Sequence, residues 1–194
     1  MADSSFALFL ISIIGVPIII IFNLLTKRKI SFHLSSLICL FYFAGLISVT
    51  LFPIYIDPRP IERMRMEGYM LLINLIPFKS ILGSLTHSYY MVGVRNVLGN
   101  ILLFFPFGII LGVLKVNRLQ KAILFALTLS LVIELIQLFE TQLFLWRRSV
   151  DIDDLLLNTL GAVVGFVIYR IIIRLIQKMK NRIVSNSQKA LDIR

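Results

Sequence analysis

Five runs of about twenty apolar residues, set apart by charged stretches, leave this 194-residue chain few ways to fold. A helix needs about 20 such residues to cross roughly 30 Å of hydrocarbon at about 1.5 Å per residue. The runs extend from about Phe6 to Leu25, Phe32 to Phe52, Asn96 to Leu114, Ala122 to Phe139 and Leu155 to Ile176. Hydrocarbon offers no water to unpaired backbone amides, so each run must satisfy them internally as a helix. The sequence therefore predicts an all-α, polytopic transmembrane bundle forming a single domain over residues 1–194, with a flexible basic tail over 181–194. Hydrophobic residues make up 58% of the chain, above the roughly 45–50% of soluble domains. The first run reads as a retained span, not a cleaved signal. It is of full length, lacks a basic start and is followed by Lys27, Arg28 and Lys29.

The formal net charge of +10 falls on alternate loops. Lys27, Arg28 and Lys29 follow the first span, Lys115, Arg118 and Lys121 follow the third, and Arg174, Lys178, Lys180, Arg182, Lys189 and Arg194 close the chain. The remaining loops mix both signs. The positive-inside rule then places the protein in the cell membrane with its amino end outside and its carboxyl end in the cytoplasm. Basic residues so distributed argue against nucleic acid as a partner. Cys39 is the one cysteine, and His33 and His87 lack ligand spacing, so no metal and no cofactor is expected.

Between spans two and three lies the longest loop, Pro53 to Arg95, extracytoplasmic in this topology. Its second half, "YMLLINLIPFKSILGSL", is apolar but interrupted by Pro77 and Lys79. Such a stretch is too short to span and reads as an interfacial segment packed over the helix ends. Gly108 with Gly112, and Gly161 with Gly165, recur four residues apart. That spacing suits close backbone approach within the bundle, and the same faces leave homo-oligomerisation open. Pro106 should kink the third span.

Polar residues in three spans fall at one depth. If the fifth helix begins ahead of the membrane, Asp151, Asp154, Asn158, Gly161 and Gly165 share a stripe, with Asp153 off it. Glu134 and Gln137 share a face of the fourth span with Ser130 a turn earlier, and Asn96 and Asn100 share a face of the third. All lie toward the end that the charge bias places outside. Charged groups within hydrocarbon face protein interior and seek partners. An outward-open polar pocket is expected, roofed by the segment around Asn74 to Lys79, with Arg147 or Arg148 as the counter-ion of Glu134. Each asparagine could instead be interhelical glue, and Asp151 and Asp154 could serve the helix dipole.

The motifs "NLIPF" (Asn74 to Phe78), "NVLGNILLFFPFGIILG" (Asn96 to Gly112), "IELIQ" (Ile133 to Gln137) and "RSVDIDDLLLNTLGAVVGF" (Arg148 to Phe166), in this order, resemble the VanZ-like family of bacterial membrane proteins. The first two spans carry none of the resemblance. It implies a role in resistance to glycopeptide antibiotics, teicoplanin-type above all. The family positions carried over are Asn74, Pro77, Asn96, Asn100, Glu134, Gln137, Arg148, Asp151, Asp154, Asn158 and Gly161. The leading expectation is a pocket for an amphipathic envelope ligand, meaning a membrane lipid, a lipid-linked cell-wall intermediate or a lipoglycopeptide. The alternative is an intramembrane enzyme with Glu134, Asp151 or Asp154 as general acid or base. Against it stands the lack of a convincing nucleophile. A small transporter ranks third, since no inverted repeat is visible.

Overall fold

The computed structural model describes residues 4–25, 30–52, 66, 73–86, 90–143 and 150–191. Five long helices match the five apolar runs: α1 (Ser4–Leu25), α2 (Ile30–Leu51), α4 (Tyr90–Val113), α5 (Leu119–Gln142) and α6 (Ile152–Leu191). Each is long and apolar enough to cross a membrane. A short helix, α3 (Lys79–Thr86), precedes α4. Two two-residue strands, β1 (Ile73–Asn74) and β2 (Val150–Asp151), pair in parallel with Ile73 opposite Val150 and Asn74 opposite Asp151. The protein is thus an all-α bundle with one small β contact.

The helices overrun the apolar stretches that announce them. α4 starts at Tyr90, ahead of the expected Asn96, and α6 continues as helix to Leu191, beyond Ile176. α6 begins at Ile152, which places Asp151 in a strand and off the helical stripe expected for it. Hydropathy locates where a chain can enter lipid, and nothing stops a helix from continuing past that boundary.

The most extensive packing joins α4 to α6. A Cβ on Gly108 would strike the Ala162 carbonyl, on Gly161 the Ile101 carbonyl, on Gly165 the Phe105 carbonyl, and on Gly112 the Tyr169 ring. The contacts advance together along both helices, so α4 and α6 run parallel with backbones in direct contact. Both glycine pairs therefore serve packing within one chain. α5 is antiparallel to α6, since Ser130 meets Asn158 while Glu134 meets Asp151. The apolar core gathers Leu46, Phe104, Phe107, Leu111, Ala122, Ala126, Ile133, Ala162 and Phe166. Phe107 takes Phe43 and Phe104 edge-on, at 6.2 and 6.1 Å, a geometry favoured by the ring quadrupole. The Tyr42 hydroxyl donates to the Leu103 carbonyl at 3.0 Å, tying α2 to α4 beside Pro106. α1 packs chiefly on α2, and Ala7 is its one buried side chain among the described residues.

α4 ends in a tight reversal. The Val116 amide donates to the Leu111 carbonyl at 3.1 Å and the Lys115 amide to the Gly112 carbonyl at 3.0 Å. This is the Schellman pattern, which puts its C′ residue in the left-handed region. Lys115 occupies that position with φ 61, where a side chain costs about 1–2 kcal/mol and glycine costs little. Lys115→Gly is expected to raise stability by about 1 kcal/mol, measured by thermal unfolding in detergent.

Candidate functional site

At the end of the bundle where α4 begins and α5 ends, polar groups from six elements meet. The segment 73–86 is the roof, and its sequence explains its shape. The Asn74 Oδ1 accepts the Ile76 amide at 3.3 Å, an Asx turn that reverses the chain after β1. Pro77 follows, and Phe78 takes a left-handed φ of 65 just ahead of α3. That backbone turns the amides of Phe78, Ser80 and Ile81 toward one point, as in the nests that bind anions. The Asp153 carboxylate occupies the point. Its Oδ1 accepts from the Phe78 amide and its Oδ2 from the Ser80 and Ile81 amides, at 2.9 and 3.1 Å. Asp153 is 1% exposed. It supplies the capping oxygen that α3 lacks locally, since phenylalanine precedes the helix. Gly93 completes the seat, because a Cβ there would meet the Ser84 carbonyl where α3 lies on α4.

Beneath this roof Asn74 Nδ2 donates to Asp151 Oδ1 and to Ser80 Oγ, both at 2.9 Å. The same Asp151 oxygen accepts the Asp153 amide at 3.0 Å. The Asp151 amide in turn donates to Glu134 Oε2 at 3.3 Å, linking α5 to the start of α6. From α4, Asn100 Nδ2 donates to Asp154 Oδ1. One turn deeper, Asn158 Nδ2 donates to Ser130 Oγ at 2.9 Å, while Asn158 Oδ1 is buried without a partner among the described residues. Gln137 reaches the other way, its Nε2 donating to the Thr50 carbonyl at 2.7 Å and tying α5 to the end of α2.

The expected residues thus divide. Asn74, Asn100, Glu134, Asp151 and Asp154 come together, Asn158 lies a turn below, and Gln137 serves the α2 contact. Asn96 is exposed on α4, apart from them. Arg147 and Arg148 lie outside the described residues. The sequence reading missed Asp153, Ser80 and Glu140. Glu140 is buried one turn beyond Gln137 on α5, and the continuing buried spacing of Ser130, Ile133, Gln137 and Glu140 could have flagged it.

Electrostatically, five carboxylates among the described residues lie at this end of the bundle, Glu134, Glu140, Asp151, Asp153 and Asp154. Glu134 and Asp151 are 5% and 7% exposed, and burial of a charge is tolerated only with hydrogen bonds or a partner of opposite sign. Asp153 is met by three amides aligned at a helix start, where the macrodipole also favours negative charge. Asp151 and Asp154 are met by carboxamides. The cluster carries two acids on different helices, Glu134 on α5 and Asp154 on α6.

Fold and site together define a polytopic helical membrane protein with a buried, acid-rich polar cluster at one end of its bundle. The chain belongs to the VanZ/LLP1 family, whose model matches residues 37–174, more than two thirds of its length. The match includes the whole cluster and begins within α2, so it reaches further back than the four motifs, which left the second span outside. No curated protein and no solved structure matches the chain.

Proposed function

We propose that the cluster is the binding site for the headgroup of an amphipathic envelope ligand, a lipid-linked cell-wall intermediate or a lipoglycopeptide, and that occupancy alters antibiotic access. The reading rests on one observation: β1, α5 and α4 each send a polar side chain to the junction of β2 and α6, Asn74 and Glu134 to Asp151 and Asn100 to Asp154. Polar groups needed only to glue two helices could pair locally. A convergence at headgroup depth suits a ligand with one apolar and one polar part. Arg147 and Arg148, just before β2 in sequence, add the positive charge that a phosphate or carboxylate would need. The site faces outside in this reading, because Lys115, Arg118, Lys121 and Arg174 lie toward the opposite end of the bundle. The resistance role implied by the family agrees with such a ligand.

Glu134→Gln and Asp154→Asn each remove a charge and keep the shape. Each is expected to weaken binding of fluorescent teicoplanin to cells by about tenfold, the scale of one charge-assisted hydrogen bond. Unchanged binding and unchanged susceptibility in both variants would count decisively against the reading. A second reading, acid–base catalysis on an envelope lipid, is favoured by the unlike settings of the two carboxylates, Glu134 accepting a backbone amide and Asp154 a carboxamide. A new lipid product in the envelope of expressing cells, lost in Glu134→Gln, would favour it over binding alone.

A further inference from the structure

At the far end of the bundle α6 outlasts its neighbours. Gly112, near the end of α4, lies against Tyr169, and one residue on the Arg170 guanidinium donates to the Asn117 carbonyl at 3.1 Å. The same guanidinium stacks over Phe166, 5.7 Å from its centroid. This lock marks where the bundle stops. Past it, from Ile171 to Asn186, Ile173 alone is half-buried and every other side chain is exposed. To Leu191 the projection is about 32 Å at about 1.5 Å per residue.

The projection is two-faced. Ile172, Ile176, Met179 and Ile183 follow one another at helical spacing and form an apolar stripe, between 49% and 65% exposed. Arg174, Lys178, Asn181, Arg182 and Ser185 fill the opposite face, and no acidic residue occurs between Leu155 and Leu191. A single helix of this length with so little tertiary contact among the described residues is marginal in water. The stripe needs a cover that also tolerates the basic face.

We propose that the α6 projection leans into the headgroup layer of the adjacent leaflet and selects anionic phospholipid, with Ile176, Met179 and Ile183 toward the acyl chains and Arg174, Lys178 and Arg182 on the phosphates. Charge decides for lipid over a second copy of the chain. A second copy paired through the stripe would cover the apolar side chains and leave the basic face, which lies opposite, without a counter-charge, whereas an anionic leaflet covers the stripe and neutralises the basic residues as well. No glycine or proline follows Gly165 within α6, so the lean is expected from tilt and smooth curvature and not from a break.

The test uses the full chain with Ile183→Cys, labelled with a polarity-sensitive fluorophore, the chain carrying Cys39 alone giving the background. It is reconstituted in vesicles of phosphatidylcholine alone and of phosphatidylcholine mixed with phosphatidylglycerol. The expected result is blue-shifted emission and quenching by spin-labelled lipid, several-fold stronger in the mixed vesicles and lost when Arg174, Lys178 and Arg182 are all changed to Gln. A label at Ser185→Cys should report water throughout. Aqueous emission at position 183 in both vesicles, equal signals in both, or a disulfide-linked dimer through that cysteine would each overturn the proposal.

Discussion

Asp153→Ala is expected to unseat the 73–86 segment and to lower stability by roughly 3 kcal/mol or more. The carboxylate answers three backbone amides at once, on a segment more than seventy residues away in sequence. Truncation leaves those part-buried donors with no acceptor, removes the cap of α3, and releases the constraint that holds Phe78 at positive φ. Asp153→Asn keeps the shape and one acceptor but turns an amide NH2 toward main-chain donors, so part of the loss should remain. Thermal unfolding in detergent measures the first effect. Limited proteolysis within 73–86 measures the second, since an unseated roof is cut faster. An alanine variant as stable and as resistant as the parent would show that the carboxylate does not hold the roof.

The second large effect is expected at the α4–α6 contact. Gly161→Val or Gly108→Val would drive a side chain into the carbonyls of Ile101 or Ala162. Overpacking in a filled core costs about 1–3 kcal/mol when neighbouring side chains can shift. Here the obstacle is main chain, so the helices must separate, and the upper end of that range or beyond is expected. The displacement would also carry Asp154 from Asn100, so that hydrogen bond should be lost together with stability. Gly45→Ala is the control, because nothing lies within 4 Å of the added Cβ. It should be neutral or slightly stabilising, as helix propensity favours alanine by up to about 1 kcal/mol. Equal effects of the valine and control substitutions on thermal unfolding would refute the packing argument.

How much of this was readable in the residues follows from which interactions leave a periodic trace. The spans were legible because each must be long and apolar. The polar faces that carry Asn100, Ser130, Asp154 and Asn158 were legible, since each member repeats on its own helix at three- or four-residue spacing, but not that Asn100 meets Asp154 and Ser130 meets Asn158. That the glycine pairs pack was legible from their spacing. Which helix meets which was not, because spacing describes one face at a time. Asp153 left no trace. It points off the stripe of its own helix, and its partners are main-chain amides that any sequence possesses. The β1–β2 contact was equally silent, since two residues per strand are too few to show alternation. Asp151 was assigned to a helix for that reason, whereas its strand position is what delivers its amide to Glu134.

The looseness of α1 has a consequence for what can vary in this chain. With Ala7 its one buried side chain among the described residues and α2 its chief neighbour, most of its surface is left open by the bundle. Exchanges among leucine, isoleucine, valine, phenylalanine and methionine along its outer sides leave no void and crowd nothing. What selection can feel there is length and freedom from charge.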